Sequence, residues 1–208
     1  MTDFPGGDLL HLLDWKRRVF GIYAETRAAA DPEAAWKRWL AVRDELFATH
    51  PQSPLPATNR RGFTGLAYFA YEPRARVLAE VVAAKPERYD IATSGDQEGS
   101  YGFTRFAVAR FELAAQPLEL ELYWLDGYGG GLFLSFRDGT SGSETYGAGR
   151  YLLDTVKGAD LGVEGERLVL DFNFAYNPSC AYDPRWVCPL VPAPNRLAVP
   201  IRAGERYG

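Results

Sequence analysis

Cysteine and histidine are scarce in this 208-residue chain, with two of each: Cys180, Cys188, His11 and His50. That scarcity excludes a dense disulfide framework and leaves few sets of transition-metal ligands. Cys180 and Cys188 bracket Ala-Tyr-Asp-Pro-Arg-Trp-Val, where zinc would need two more ligands from the distant histidines. Buried, inert thiols are therefore expected, with no metal and no cofactor. A G-x-S-x-G elbow is also lacking, so Ser53, Ser141, Ser143 and Ser179 do not read as triad nucleophiles with His50. His50, in Thr-His-Pro-Gln-Ser-Pro, reads instead as a helix-end residue near the negative end of the dipole.

Long apolar runs are missing too. No stretch approaches the roughly 18 residues a membrane span needs. The opening MTDFPGGDLLHLLDWKRR carries acid where a secretory leader carries base. A cytoplasmic protein without a membrane partner is expected. Positive charge is not in excess: 23 Lys and Arg face 27 Asp and Glu, for a net charge of −4. That balance argues against nucleic acid, and the run Lys16, Arg17, Arg18 reads as the wet face of a helix. The glycines at 127 and 129–131 lack the Lys-Ser/Thr ending and following helix of a phosphate loop, and fit a hairpin turn.

What is present is ample core material. A chain of this length buries roughly 70% of its unfolded surface as one domain, and the 14% aromatic content suits a β-rich interior. Residues 1–208 are read as a single domain, with a helical part over 8–50 and a β part over 60–201. In 8–28, Leu9, Leu12, Leu13, Val19, Ile22 and Tyr23 recur at helical spacing, with Trp15 nearby. A second helix starts at Asp31-Pro32-Glu33, runs through Trp36, Trp39, Leu40, Arg43, Leu46 and Phe47, and stops at His50-Pro51.

Beyond the proline-rich connector, turn residues punctuate strand candidates at 62–71, 75–83, 88–94, 101–113, 117–124, 131–136, 149–156, 167–174 and 196–201. The expected fold is mainly β: an antiparallel β-barrel or sandwich with two N-terminal α-helices. In 167–174, Leu168, Leu170, Phe172 and Phe174 share one face and must meet a core, which turns Asp171 and Asn173 toward a separate polar environment.

Polar residues concentrate between 140 and 190. Glu144, Asp171 and Asp183 are candidate catalytic carboxylates, able to act as acid and base if their environments split their pKa values. Arg150 could fork onto a carboxylate or phosphate, with Tyr146, Asn173, Tyr176, Asn177 and Tyr182 completing a ligand site. The competing reading pairs Arg150 with Asp154 or Asp171 and makes the cluster structural.

The strings HPQSPL, GLAYFAYEP, YGGGLFLSFRDGTSGSETYGAGRYL and DFNFAYNPSCAYDPRWVCPLVPAPNRLAVPIRAGE resemble the domain-of-unknown-function 1684 family over Trp15 to Glu205. The resemblance implies a shared fold and a shared site. It supplies no substrate and no catalytic role for Glu144, Arg150, Asp171, Asn177 or Cys188. The expectation is recognition of a small polar or anionic molecule by the 140–150 loop and the 171–188 segment, with hydrolytic chemistry as an added step. The alternative is a non-enzymatic binding or scaffold protein.

Overall fold

Helices α1 (Gly7–Ala28) and α2 (Pro32–Thr49) lead the chain in the computed structural model, which describes residues 7–94 and 99–207. Residues 1–6, part of the stretch read for a leader, lie outside the described residues. Asp31 caps α2 as its position before Pro32 predicts: Oδ1 accepts from the backbone N–H of Glu33 at 3.0 Å and Ala34 at 3.1 Å. A single helical turn, α3 (Ala57–Arg60), interrupts the proline-rich connector. No helix among the described residues is long and apolar enough to cross a membrane.

The strands are β1 (Arg76–Ser94), β2 (Ser100–Leu113), β3 (Gln116–Leu125), β4 (Gly131–Phe136), β5 (Arg150–Asp154), β6 (Val163–Glu164), β7 (Arg167–Asp171) and β8 (Cys188–Pro189). They form one antiparallel sheet in the order β5-β4-β3-β2-β1-β7-β6, with β8 on the far end of β1. The fold is therefore mainly β and antiparallel with two long helices before it, and the sheet path is open rather than closed on itself.

Strand β1 organises the sheet by changing neighbours along its length. Arg76–Ala79 pair with β7, Glu80–Ala92 with β2, and Thr93 and Ser94 with β8. The separate strands expected at 75–83 and 88–94 are this one strand, whose register slips between Ala83 and Glu87. Pro86 sits in that slip, where a residue without an N–H donor does least harm to a ladder. The candidates at 62–71 and 196–201 are not strands; they make isolated bridges, Tyr68 to Glu205 and Arg137 to Arg196.

The helices lie on the sheet through aromatic side chains. Trp36 Nε1 donates to the Asn173 carbonyl at 3.0 Å, and the Trp39 ring meets Phe174 at 5.1 Å and Tyr68 at 5.6 Å. Phe172 is fully buried against Phe136 and Phe111. Helix α1 buries Ile22 and Tyr23 and lays Trp15 and Val19 half-buried against the core, while its first turns stay outside. Leu9, Leu12 and Leu13, expected on a core-facing stripe, are 72%, 43% and 42% exposed. The chain then returns inward at its end, burying Ile201, Ala203 and Glu205. Gly204 permits this at φ +79°, since a Cβ there would lie 2.6 Å from the Phe172 carbonyl oxygen.

Candidate functional site

The residues singled out from the sequence fall in several places. Glu144 is near the surface, bound by Arg202 at 2.9 and 3.1 Å, and those hydrogen bonds hold its carboxyl below the ordinary range. Asp183 pairs with Arg185 at 3.1 Å. Asp171 and Asn173 are both buried, and Asp171 lines a cavity of about 140 Å³ that it shares with Arg27, Arg76 and Glu164, apart from the other residues singled out. The strand ends at Asp171, whose Oδ1 accepts from the Asn173 backbone at 3.0 Å and side chain at 2.8 Å, starting a 3-10 turn over Phe172–Phe174. Asn173 completes itself on the backbone of Glu72, with both bonds at 2.9 Å. Burial pushes the Asp171 carboxyl up, with its bonds to Asn173 pulling the other way.

Arg150 is 1% exposed and committed to the interior. Its Nη2 meets Asp138 Oδ2 at 2.7 Å and the Ile201 carbonyl at 3.0 Å. Its Nη1 meets the carbonyls of Ala203 and of Glu205, the latter at 3.1 Å. The side chain expected to anchor a ligand thus clamps the returning C-terminal segment. Its partner is Asp138, not Asp154 or Asp171.

Tyr146 Oη lies 3.8 Å from Cys180 Sγ. Both cysteines are free thiols, and the Cys188 hydrogen bond lowers the Cys180 thiol to about 6. Among the described residues, no three His, Cys, Asp or Glu side chains are grouped to hold a metal ion.

Tyr176 and Asn177 do come together in a cleft of about 80 Å³ between the helices and the sheet. Trp15, Val19 and Tyr23 come from α1, and Arg43 and Phe47 from α2. Tyr151, Lys157, Ala159, Pro178 and Ser179 close the other side, with Pro54 at the edge. Tyr23 is 2% exposed and Asn177 6%. Yet Tyr23 Oη has no acceptor and Asn177 Oδ1 no donor among the described residues; the group beside the Tyr23 oxygen is the Trp39 indole N–H, which can only donate and does not reach ordinary hydrogen-bond geometry. Burial pushes the Tyr23 phenol up, so it stays protonated and able to donate.

A buried ion pair holds this cleft in shape. Arg43 Nη2 donates to Glu205 Oε2 at 3.0 Å, and Nε donates to Tyr68 Oη at 2.8 Å. The guanidinium carbon sits 4.8 Å from the Trp39 ring centroid, 5.2 Å from Phe47 and 5.1 Å from Tyr176, in the range where aromatic faces attract a cation. Glu205 also accepts from Tyr182 Oη and, at 3.0 Å, from the Asn177 backbone N–H. That last bond fixes the Asn177 backbone while its amide oxygen stays unpartnered.

Residues 61–206 match the family model described as protein of unknown function, DUF1684. The chain belongs to that family. It is also similar to an uncharacterised Haloarcula marismortui protein solved by solution NMR, at 36% identity and a TM-score of 0.60. The similarity covers 84% of this chain and 94% of that one. No curated relative matches the sequence.

The DUF1684 match begins at residue 61, so Trp15, Val19, Tyr23, Arg43 and Phe47, the helical side of the cleft, precede it. Tyr23, Arg43, Lys157 and Glu205 were not singled out as site residues from the sequence. Arg43 and Tyr23 sit at helical spacing among core aromatics and read as ordinary helix positions. Their one legible signal was that Arg43 falls on the apolar stripe of α2, between Trp39 and Phe47.

Proposed function

We propose that this DUF1684 protein binds a small anion that also carries a hydrogen-bond donor, of the hydroxy-carboxylate class, in the cleft between α1, α2 and residues 176–179. One observation carries the reading: Tyr23 and Asn177 line the same cleft, and each has a buried side-chain oxygen, Oη and Oδ1, without a complementary partner among the described residues. Each such group costs about 1–3 kcal/mol when left unpaired. A phenol hydrogen needs an acceptor and an amide oxygen needs a donor, so the complementary ligand offers both.

Charge supports the same class. Arg43 and Lys157 line the cleft while the carboxylates they pair with, Glu205 and Asp154, stand behind its wall, and among the described residues its lining contains no carboxylate or imidazole, so the face offered to a ligand is cationic. The volume, about 80 Å³, suits a head group of a few heavy atoms. Glu144, Asp171 and Asp183 lie outside it, so binding is proposed and acid–base hydrolysis is not. The Arg150–Asp138 and Arg43–Glu205 clusters, bonded to protein atoms except at Arg150 Nε and lying apart from or behind the cleft wall, are read as the scaffold around the site.

Isothermal titration with lactate tests the proposal. The wild-type protein is expected to bind, and Asn177→Ala to weaken binding at least roughly tenfold, the equivalent of one lost charge-assisted or buried hydrogen bond. No binding, or equal affinity in the two proteins, contradicts it.

A further inference from the structure

A second cavity lies beside the cleft. Its volume is about 210 Å³, and Phe103, Leu125, Leu132 and Phe133 contribute to a mostly apolar lining. An engineered apolar cavity of about 150 Å³ is enough to take benzene. By that comparison the second cavity accepts a whole apolar group, and the cleft, at about 80 Å³, only a head of a few heavy atoms.

Two residues connect the cavities. Lys157 lines both of them. Tyr151 lines the cleft, while its ring meets Phe133 of the apolar cavity edge-on at 4.9 Å and its hydroxyl donates to the Pro189 carbonyl on that cavity's rim. The partition between the spaces is therefore one buried ring and one lysine. Lys157 is the movable member: its side chain is 62% exposed and tethered only to Asp154 Oδ2, at 3.3 Å. The charges in the apolar cavity are those of this same pair, Asp154 and Lys157.

We infer that the ligand is amphiphilic: a hydroxy-carboxylate head in the cleft, with an alkyl or aryl tail of up to about a ring's size in the apolar cavity beyond Lys157. This rests on the head-group reading above and specifies its substrate class. The two spaces then act as one site. The lysine, which lines both spaces, lies where carboxylate and tail join.

A chain-length series separates the two claims. Lactate, 2-hydroxybutyrate and 2-hydroxyhexanoate are titrated into the full-length protein. Burying each added methylene tightens binding by roughly fourfold, or about sixtyfold from lactate to the six-carbon acid. In Leu132→Trp, which fills the apolar cavity, the six-carbon acid is expected to fall to within about threefold of lactate measured on that same variant. Val187→Phe, on the opposite wall and half-buried, gives the same reading if the first variant does not fold. Lactate binding with no gain along the series overturns the tail site and leaves the head site standing. A gain that persists in both cavity-filling variants also overturns it. Failure of all three acids to bind removes the head-group reading and this inference with it.

Discussion

Arg150 shows how a residue type misleads without its surroundings. A lone arginine beside a glycine-flanked polar loop has the chemistry of an anion anchor, but here it spends four hydrogen bonds on Asp138 and the carbonyls of Ile201, Ala203 and Glu205. The Asp138 side chain is fully buried with it. Removing one member of such a pair strands the other charge, which costs about 3–5 kcal/mol. Arg150→Ala is thus expected to lower the unfolding free energy by about 3–5 kcal/mol in urea melts. Asp138→Ala should cost a similar amount and the double variant much less than their sum. Independent, additive losses would show that the pair does not act as a unit. Nothing in the sequence pairs residue 150 with 138 in preference to 154 or 171, since all are carboxylates near in sequence or on a candidate strand. The choice is made by tertiary packing.

Elements were legible where one local rule decided them. Asp31-Pro32 starts α2 because a side-chain cap and a fixed φ act over three residues, and β2, β3 and β4 follow their alternating patterns to within about a residue. The alternation misled at Phe172–Phe174, because Asp171 captures the Asn173 N–H and turns the chain out of the strand. It misled again in α1, where helical spacing promised burial for leucines that the sheet does not reach.

The hairpin joining β2 to β3 keeps a conflict between residue and conformation. Ala114 and Ala115 take φ values of 52° and 59°, the left-handed region that a Cβ disfavours by roughly 1–2 kcal/mol per residue. Ala115→Gly is therefore expected to stabilise the protein by about 1 kcal/mol, the relieved strain less the added chain entropy. A lower melting temperature in the variant would contradict that reading of the turn.

At the scale of the whole molecule, the cleft exists because two helices dock on an open sheet and the chain's end is drawn under them. Arg43 and Glu205 are 162 positions apart, and Tyr23 and Asn177 belong to opposite sides of that docking. Periodicity and motif spacing register neighbours along the chain, so they found Tyr176 and Asn177 on the polar segment and missed the helical half of the site. On the proposed function, the Tyr23 hydroxyl is kept without an acceptor inside the protein for a ligand. A group held for binding weakens the free protein, whereas a group held for structure strengthens it. The most direct test is to measure both stability and lactate affinity for Tyr23→Phe, which removes one oxygen and leaves the ring. The ligand-free variant is expected to be at least as stable as wild type, by up to about 1–3 kcal/mol, and to bind lactate several-fold more weakly. A variant that is less stable and binds lactate as wild type does would show that the hydroxyl serves the fold, and would contradict the account.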